Sequence, residues 1–289
     1  MNFDSGAELL DLCREYQIPV SEVMKQRELQ HGAVSEEVFE QKMIEIMEIM
    51  SNSAHRPLSD VKKSIGGLIG GEASRLKNYS ENHQELCGKV LSLAMVYAMA
   101  VLECNASMGL IVAAPTAGSS GVVPGVLLAM KEALGLGTEE FRKGLLNASA
   151  IGYLAMRNAS VAGAEAGCQA EVGVASAMAA SAAVELMGGT PEMCLQAASL
   201  CLSNLLGLVC DPIGGFVEDP CQSRNVIGVA NALTCAQLAL SGITHVNSFD
   251  DMLAVMLKVG SSLPSELRET AMGGNAIGKT ACERCKGIK

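Results

Sequence analysis

Cys168 in AEAGCQAEVG, Cys210 and Cys221 at the two ends of CDPIGGFVEDPC, and Cys282 in ACERC are the residues best suited to hold a soft metal, with 41, 10 and 60 residues between successive members. Two thiolates flanking a loop that contains Gly and Pro can converge on one centre, because glycines let the backbone fold close to it. Three cysteines on a 4Fe-4S cluster leave the fourth iron without a protein thiolate, open to act as a Lewis acid. Spacing alone leaves two readings, since these are not the close CxxC pairs of ferredoxins or structural zinc. Free cysteine also packs as a small hydrophobe, and Cys87, Cys104, Cys194, Cys201 and Cys235 read that way within apolar helical patterns. Cys210 and Cys221 differ in bounding a loop that carries Asp211, Glu218 and Asp219.

A second chemical element is Pro115-Thr116-Ala117-Gly118-Ser119-Ser120-Gly121. Small residues let backbone amides approach an anion such as a carboxylate, and the Thr116, Ser119 and Ser120 hydroxyls can add hydrogen bonds to it. The alternative is an ordinary turn before the helix VVPGVLLAMKEAL. Arg224, three residues after Cys221, can pair with a carboxylate bidentately or form a packing ion pair. His31, His55, His83 and His245 lie in no catalytic pattern and read as surface or structural residues.

The elements that position these residues read as helices. Ser5-Gly-Ala-Glu8 opens a helix stopped by Pro19, and Ser21 reads as the N-cap of EVMKQRELQ. From Ser35 to Ser51, Val38, Phe39, Met43, Ile44, Ile46, Met47 and Met50 recur at helical spacing. Beyond Asn82 the pattern predicts apolar helices over 84–104, 139–160, 168–188, 191–208, 223–241 and 249–259, with Thr190 and Ser248 as caps. No sustained period-two alternation is present, so the expected class is all-α: one bundle of small-residue-rich helices with Gly-rich functional loops at 66–71, 113–125, 211–220 and 272–278. Residues 1–89 hold 25 of the 52 charged side chains. The expected layout is therefore a single domain over 1–289, with polar peripheral helices in 1–80 and an apolar core in 81–289.

Composition narrows the function. A net charge of −10 without a basic tract argues against nucleic acid and anionic membrane surfaces as partners. The uncharged stretches 104–130, 193–210 and 225–249 contain Pro115, Pro124 or polar residues such as Asn204, Asn231 and His245, and read as buried protein rather than lipid spans. The N-terminus lacks the basic and apolar regions of a secretory signal, and 11 cysteines cannot all pair, so a reducing cytoplasmic setting is expected.

GAEAGCQAEVGVASAMAA, CDPIGGFVEDPCQSRN, APTAGSSGVVPGV and RETAMGGNAIG together resemble the catalytic α chain of the two-chain iron–sulfur L-serine dehydratases, over residues 55–282. The resemblance implies deamination of L-serine to pyruvate and ammonia by a 4Fe-4S cluster without pyridoxal phosphate, with Cys168, Cys210 and Cys221 as cluster ligands. It implies a substrate loop at Thr116, Gly118, Ser119, Ser120 and Gly121, with Arg224 nearby. Single-chain relatives carry a further domain with a Ser-His stretch, so the implied partner is a separate β chain that supplies the missing base. In some relatives a terminal cysteine caps the open iron; here Cys282 and Cys285 are both candidates. Alternatives are a non-catalytic helical partner subunit, or a cluster lyase for another small β-substituted amino acid such as cysteine or threonine.

Overall fold

Ser5, Ser35, Thr190 and Ser248 each accept a hydrogen bond from the amide three residues on, filling one of the donors that a helix start leaves open. The computed structural model describes residues 1–32 and 35–285, and it starts helices at each of these caps. The polar first third forms α1 (Gly6–Tyr16), α2 (Val20–His31), α3 (Glu36–Ser59) and α4 (Glu72–Asn82). The second N-cap is Pro19 rather than Ser21, because the Glu185 carboxylate already receives the Ser21 amide at 3.2 Å. The third helix runs past Ser51 and through Pro57, since Ser53, Ala54 and Pro57 continue its buried face.

The remaining helices are α5 (Gly88–Ala106), α6 (Val122–Leu134), α7 (Thr138–Asn158), α8 (Gly163–Ala166), α9 (Val174–Leu186), α10 (Pro191–Asn204), α11 (Cys221–Leu240), α12 (Phe249–Ser262) and α13 (Lys279–Cys285). No strand occurs among the described residues, and a lone parallel bridge joins Cys210 to Arg268. The class is all-α, as expected. The span 168–188 is not one helix. Gly167, at φ +77, ends α8, and a π-helical turn at Gln169–Gly173 leads into α9.

Every residue of α9 from Val174 to Val184 is buried, and α6, α7, α10 and α11 pack around it. Small residues make this possible. A Cβ on Gly121 of the α5–α6 contact would sit 2.4 Å from the Ala98 carbonyl oxygen, so the two backbones approach as only glycine allows. α5 is long and apolar enough to cross a membrane by length and composition, yet it lies against α3, α4, α6 and α11 in the core. The Gly-rich loops gather where the π turn, the N-terminus of α11 and the chain after α12 meet.

Candidate functional site

The three cysteines arrive on three different elements, each fixed by its own neighbours. Cys168 opens the π turn. Beside it, the buried Gln169 donates to the Met256 carbonyl (2.8 Å), accepts from the Gly207 amide (2.9 Å), and has its own amide on the Leu208 carbonyl (3.0 Å). Cys210 is held through its backbone, with its amide on the Leu267 carbonyl at 2.8 Å and its carbonyl receiving the Glu269 amide at 2.7 Å. Cys221 begins α11, where the buried Asn225 donates to the carbonyls of both Cys221 and Gly118 (2.8 Å each) and accepts from the Gly121 amide (3.0 Å). Asn225 thus ties the 113–121 loop to the third cysteine.

The loop between Cys210 and Cys221 is closed by the protein's own carboxylates. Glu218, 2% exposed, receives the Ser64 hydroxyl and the Gly66 amide at 2.6 Å each and the Leu68 amide at 2.9 Å. The GGLIGG segment is therefore a cradle for Glu218: a Cβ on Gly66 would lie 2.8 Å from its Oε1. Asp211 pairs with Arg224 at 2.6 Å and accepts from the Asn275 amide at 2.6 Å and side chain at 3.1 Å, which pins 272–278 over the loop.

The three thiols share one environment. Burial pushes Cys168 up to about 12, with the Glu171 carboxylate adding to the rise. Burial likewise raises Cys221 to about 12, with Cys168 the next cause. Cys210 is raised by burial, then by Glu171, Cys168 and Cys221 among others. Each sulfur therefore bears on another's ionisation. Arg224 opposes the rise at Cys168 and Cys221. Burial disfavours its own charge, but Cys168, Asp211 and Cys221 outweigh this and raise its pKa. Among the described residues no three His, Cys, Asp or Glu side chains are grouped so as to hold a metal ion.

Glu171 links the cysteines to the Thr116 loop. Its Oε1 receives the Thr116 hydroxyl at 2.8 Å, and its Oε2 lies 3.6 Å from the Cys210 sulfur. Burial raises its pKa, and Glu269 adds to the effect while the Thr116 hydroxyl opposes it. Gly118 faces the same carboxylate: a Cβ there would be 3.1 Å from Oε1.

Of the other loop residues, the Ser119 hydroxyl meets the Thr116 amide (3.4 Å) and hydroxyl (3.1 Å), and the Ser120 hydroxyl donates to the Ala117 carbonyl at 2.8 Å. Both serines are fully buried. Arg224 spends its guanidinium on Asp211 and on the Val209 carbonyl at 2.7 Å. Cys282 is exposed, with its thiol 3.6 Å from the Ala276 carbonyl; the Cys285 side chain lies outside the described residues. The four histidines stand at hydrogen-bonding distance from backbone carbonyls, His31 from Met1, His55 from Ser51, His83 from Tyr79 and His245 from Asn247. Glu171, Gln169 and Asn225 belong to no catalytic signature. For Glu171 a signal did exist: it is the only charged residue between 166 and 184.

Residues 15–276 match the family model described as serine dehydratase alpha chain. The chain is 43% identical over 99% of its length to a probable L-serine dehydratase alpha chain of Bacillus subtilis, covering 95% of that protein. It is 42% identical over 96% of its length to the L-serine dehydratase alpha chain of Peptoniphilus asaccharolyticus, again covering 95% of it. An L-serine dehydratase of Helicobacter pylori is 37% identical over 95% of this chain, but the chain spans only 61% of that relative.

Proposed function

This chain belongs to the serine dehydratase alpha-chain family, and on that premise we propose that it is the catalytic subunit of a cytoplasmic L-serine dehydratase. The reaction removes the α-proton and the hydroxyl of L-serine as water; the aminoacrylate released tautomerises to an imine, and water converts this to pyruvate and ammonia. The cofactor proposed is a 4Fe-4S cluster held by Cys168, Cys210 and Cys221, with no pyridoxal phosphate.

The observation that carries the reading is the meeting of three buried thiols from separate elements beside Glu171 and the Thr116 loop. The donor set fits a cluster. A tetrahedral single-ion site, with metal–sulfur bonds of about 2.3 Å, needs its sulfurs about 3.8 Å apart, whereas a cluster gives each cysteine its own iron and takes a wider spread. Burial keeps the metal-free thiols protonated, so loading must release protons. Once bound, the cluster supplies Lewis acidity at an iron without a protein thiolate, where a poor leaving group such as hydroxide is stabilised.

The chain's own residues prepare the place. Asn225 fixes the 113–121 loop against Cys221, Gln169 fixes the Cys168 turn, and Arg224 places positive charge beside Cys168 without leaving Asp211. None of the four histidines reaches this region in a catalytic arrangement, so the base is assigned to a separate β chain. The 61% coverage of the longer H. pylori relative supports such a partner.

The test is anaerobic loading of the chain with iron and sulfide, with and without the product of a neighbouring reading frame, followed by metal analysis and pyruvate assay. The expected result is a brown, pyruvate-forming complex that Cys210→Ala abolishes. Undiminished activity in Cys210→Ala, or the absence of iron from an active wild type, overturns the cluster reading. A panel including cysteine and threonine checks the substrate.

A further inference from the structure

We infer that Glu171 receives the ammonium group of the amino-acid substrate and so selects amino acids over their deaminated analogues; this rests on the cluster reading above. Glu171 sits in the π-helical turn with its carboxylate between two glycines. A Cβ on Gly118 would lie 3.1 Å from Oε1, and one on Gly163 2.6 Å from Oε2. Backbone, not side chain, walls the carboxylate on both sides, and the residue stays partly accessible.

A carboxylate offers about four acceptor positions. Here the Thr116 hydroxyl fills one on Oε1, and the Cys210 thiol approaches Oε2. Ligation to iron takes the proton from Cys210, so Oε2 loses that donor and faces a sulfur carrying negative charge at 3.6 Å. A largely buried carboxylate beside a second anion needs a cation.

The chain does not supply one there. Arg224 is committed to Asp211 and the Val209 carbonyl, and Arg268 reaches the Glu165 carbonyl at 3.4 Å. Glu269, from the same segment as Arg268, adds negative charge, and the Thr116 loop carries none. An incoming amino acid brings the missing charge on the carbon next to its hydroxymethyl group, and the carboxylate that accepts it lies between the cysteines and the Thr116 loop.

The experiment uses the cluster-loaded complex with its partner and two ligands that differ only in the amino group, L-alanine and propanoate, neither of which has a hydroxyl to eliminate. Binding is measured by calorimetry and by competition with serine. In the wild type, alanine is expected to bind about ten- to hundredfold more tightly than propanoate, the range of a charge-assisted hydrogen bond. In Glu171→Gln that preference should collapse to within about threefold by loss of alanine affinity, with iron and sulfide content unchanged; Glu171→Asp should restore part of it.

Equal weakening of both ligands indicates a structural role and overturns the inference. Loss of kcat with the alanine preference intact assigns Glu171 to proton transfer and also overturns it. If Glu171→Gln takes up no iron, the same comparison is made with Glu171→Asp, where an unchanged preference refutes ammonium binding, because the shortened arm withdraws the carboxylate. A wild type lacking both iron and pyruvate formation defeats the cluster reading instead, so the two failures are distinct.

Discussion

Replacing Glu218 by glutamine should loosen the loop that carries Cys210 and Cys221, at a cost that follows from its three hydrogen bonds. Oε2 receives the Ser64 hydroxyl and the Leu68 amide, and Oε1 receives the Gly66 amide. With the glutamine NH2 placed at the Oε1 position, a buried amide faces a donor and loses its partner, which costs about 1–3 kcal/mol. The two bonds left change from charge-assisted to neutral, about 1 kcal/mol each. Relief of the buried charge offsets part of this, leaving a net loss of about 2–4 kcal/mol. For a chain of this size that corresponds to a fall in Tm of about 4–10 °C. Thermal melts of the metal-free chain, followed by circular dichroism, provide the measurement, with Ser64→Ala as the milder companion that removes one donor and no acceptor. A Glu218→Gln melt within about 1 °C of wild type would refute the argument that this carboxylate closes the loop.

Glu103 is buried, and burial raises its pKa above the reference of 4.5, although the Ala73 amide and the Gln222 side chain both donate to it. The folded state then binds more protons than the unfolded state, so this residue's contribution to stability falls as the pH rises from 4.5 through the elevated folded value. Urea unfolding at pH 5 and pH 7 should show wild type losing ground to Glu103→Gln between the two; a constant difference contradicts the assignment. Gly163→Ala places a methyl group 2.6 Å from Glu171 Oε2 and 2.9 Å from the Cys210 sulfur. Iron and sulfide analysis should find it largely unloaded despite a wild-type circular dichroism spectrum, and normal loading counts against convergence at this point. Asp211→Asn weakens the grip on Arg224 and Asn275, so limited proteolysis should cut the 270–280 region faster than in wild type, and an equal rate of cleavage denies Asp211 that role.

Helices were legible in the sequence wherever a cap or an apolar stripe was local. Ser5, Ser35, Thr190 and Ser248 sit within a residue of the helix starts they indicated. The site was legible only where its residues cluster along the chain, as at Cys210 and Cys221 or Thr116 and Gly118. What escaped depends on contacts far apart in sequence. GGLIGG reads as a functional loop, yet its glycines serve a carboxylate some 150 residues away. The break at Gly167 was hidden because the residues around it are as apolar and small as those of α9, and it is enforced by Leu208 and Leu263, against which a Cβ at 167 would collide. Arg224 resembles a substrate clamp in one dimension, whereas in three its guanidinium is spent on Asp211 and Val209.

The central helix also reverses the usual ranking of mutational harm. Where a core is filled by leucine and phenylalanine, truncation does the damage; along α9, from Val174 to Val184, six positions are already alanine and there is little left to remove. Enlargement is the hazard, because an added methyl on any side of this axle pushes against one of the surrounding helices. Directed-evolution libraries on this chain should therefore confine α9 to glycine, alanine and serine, and reserve larger side chains for the water-facing surfaces of α1 to α4.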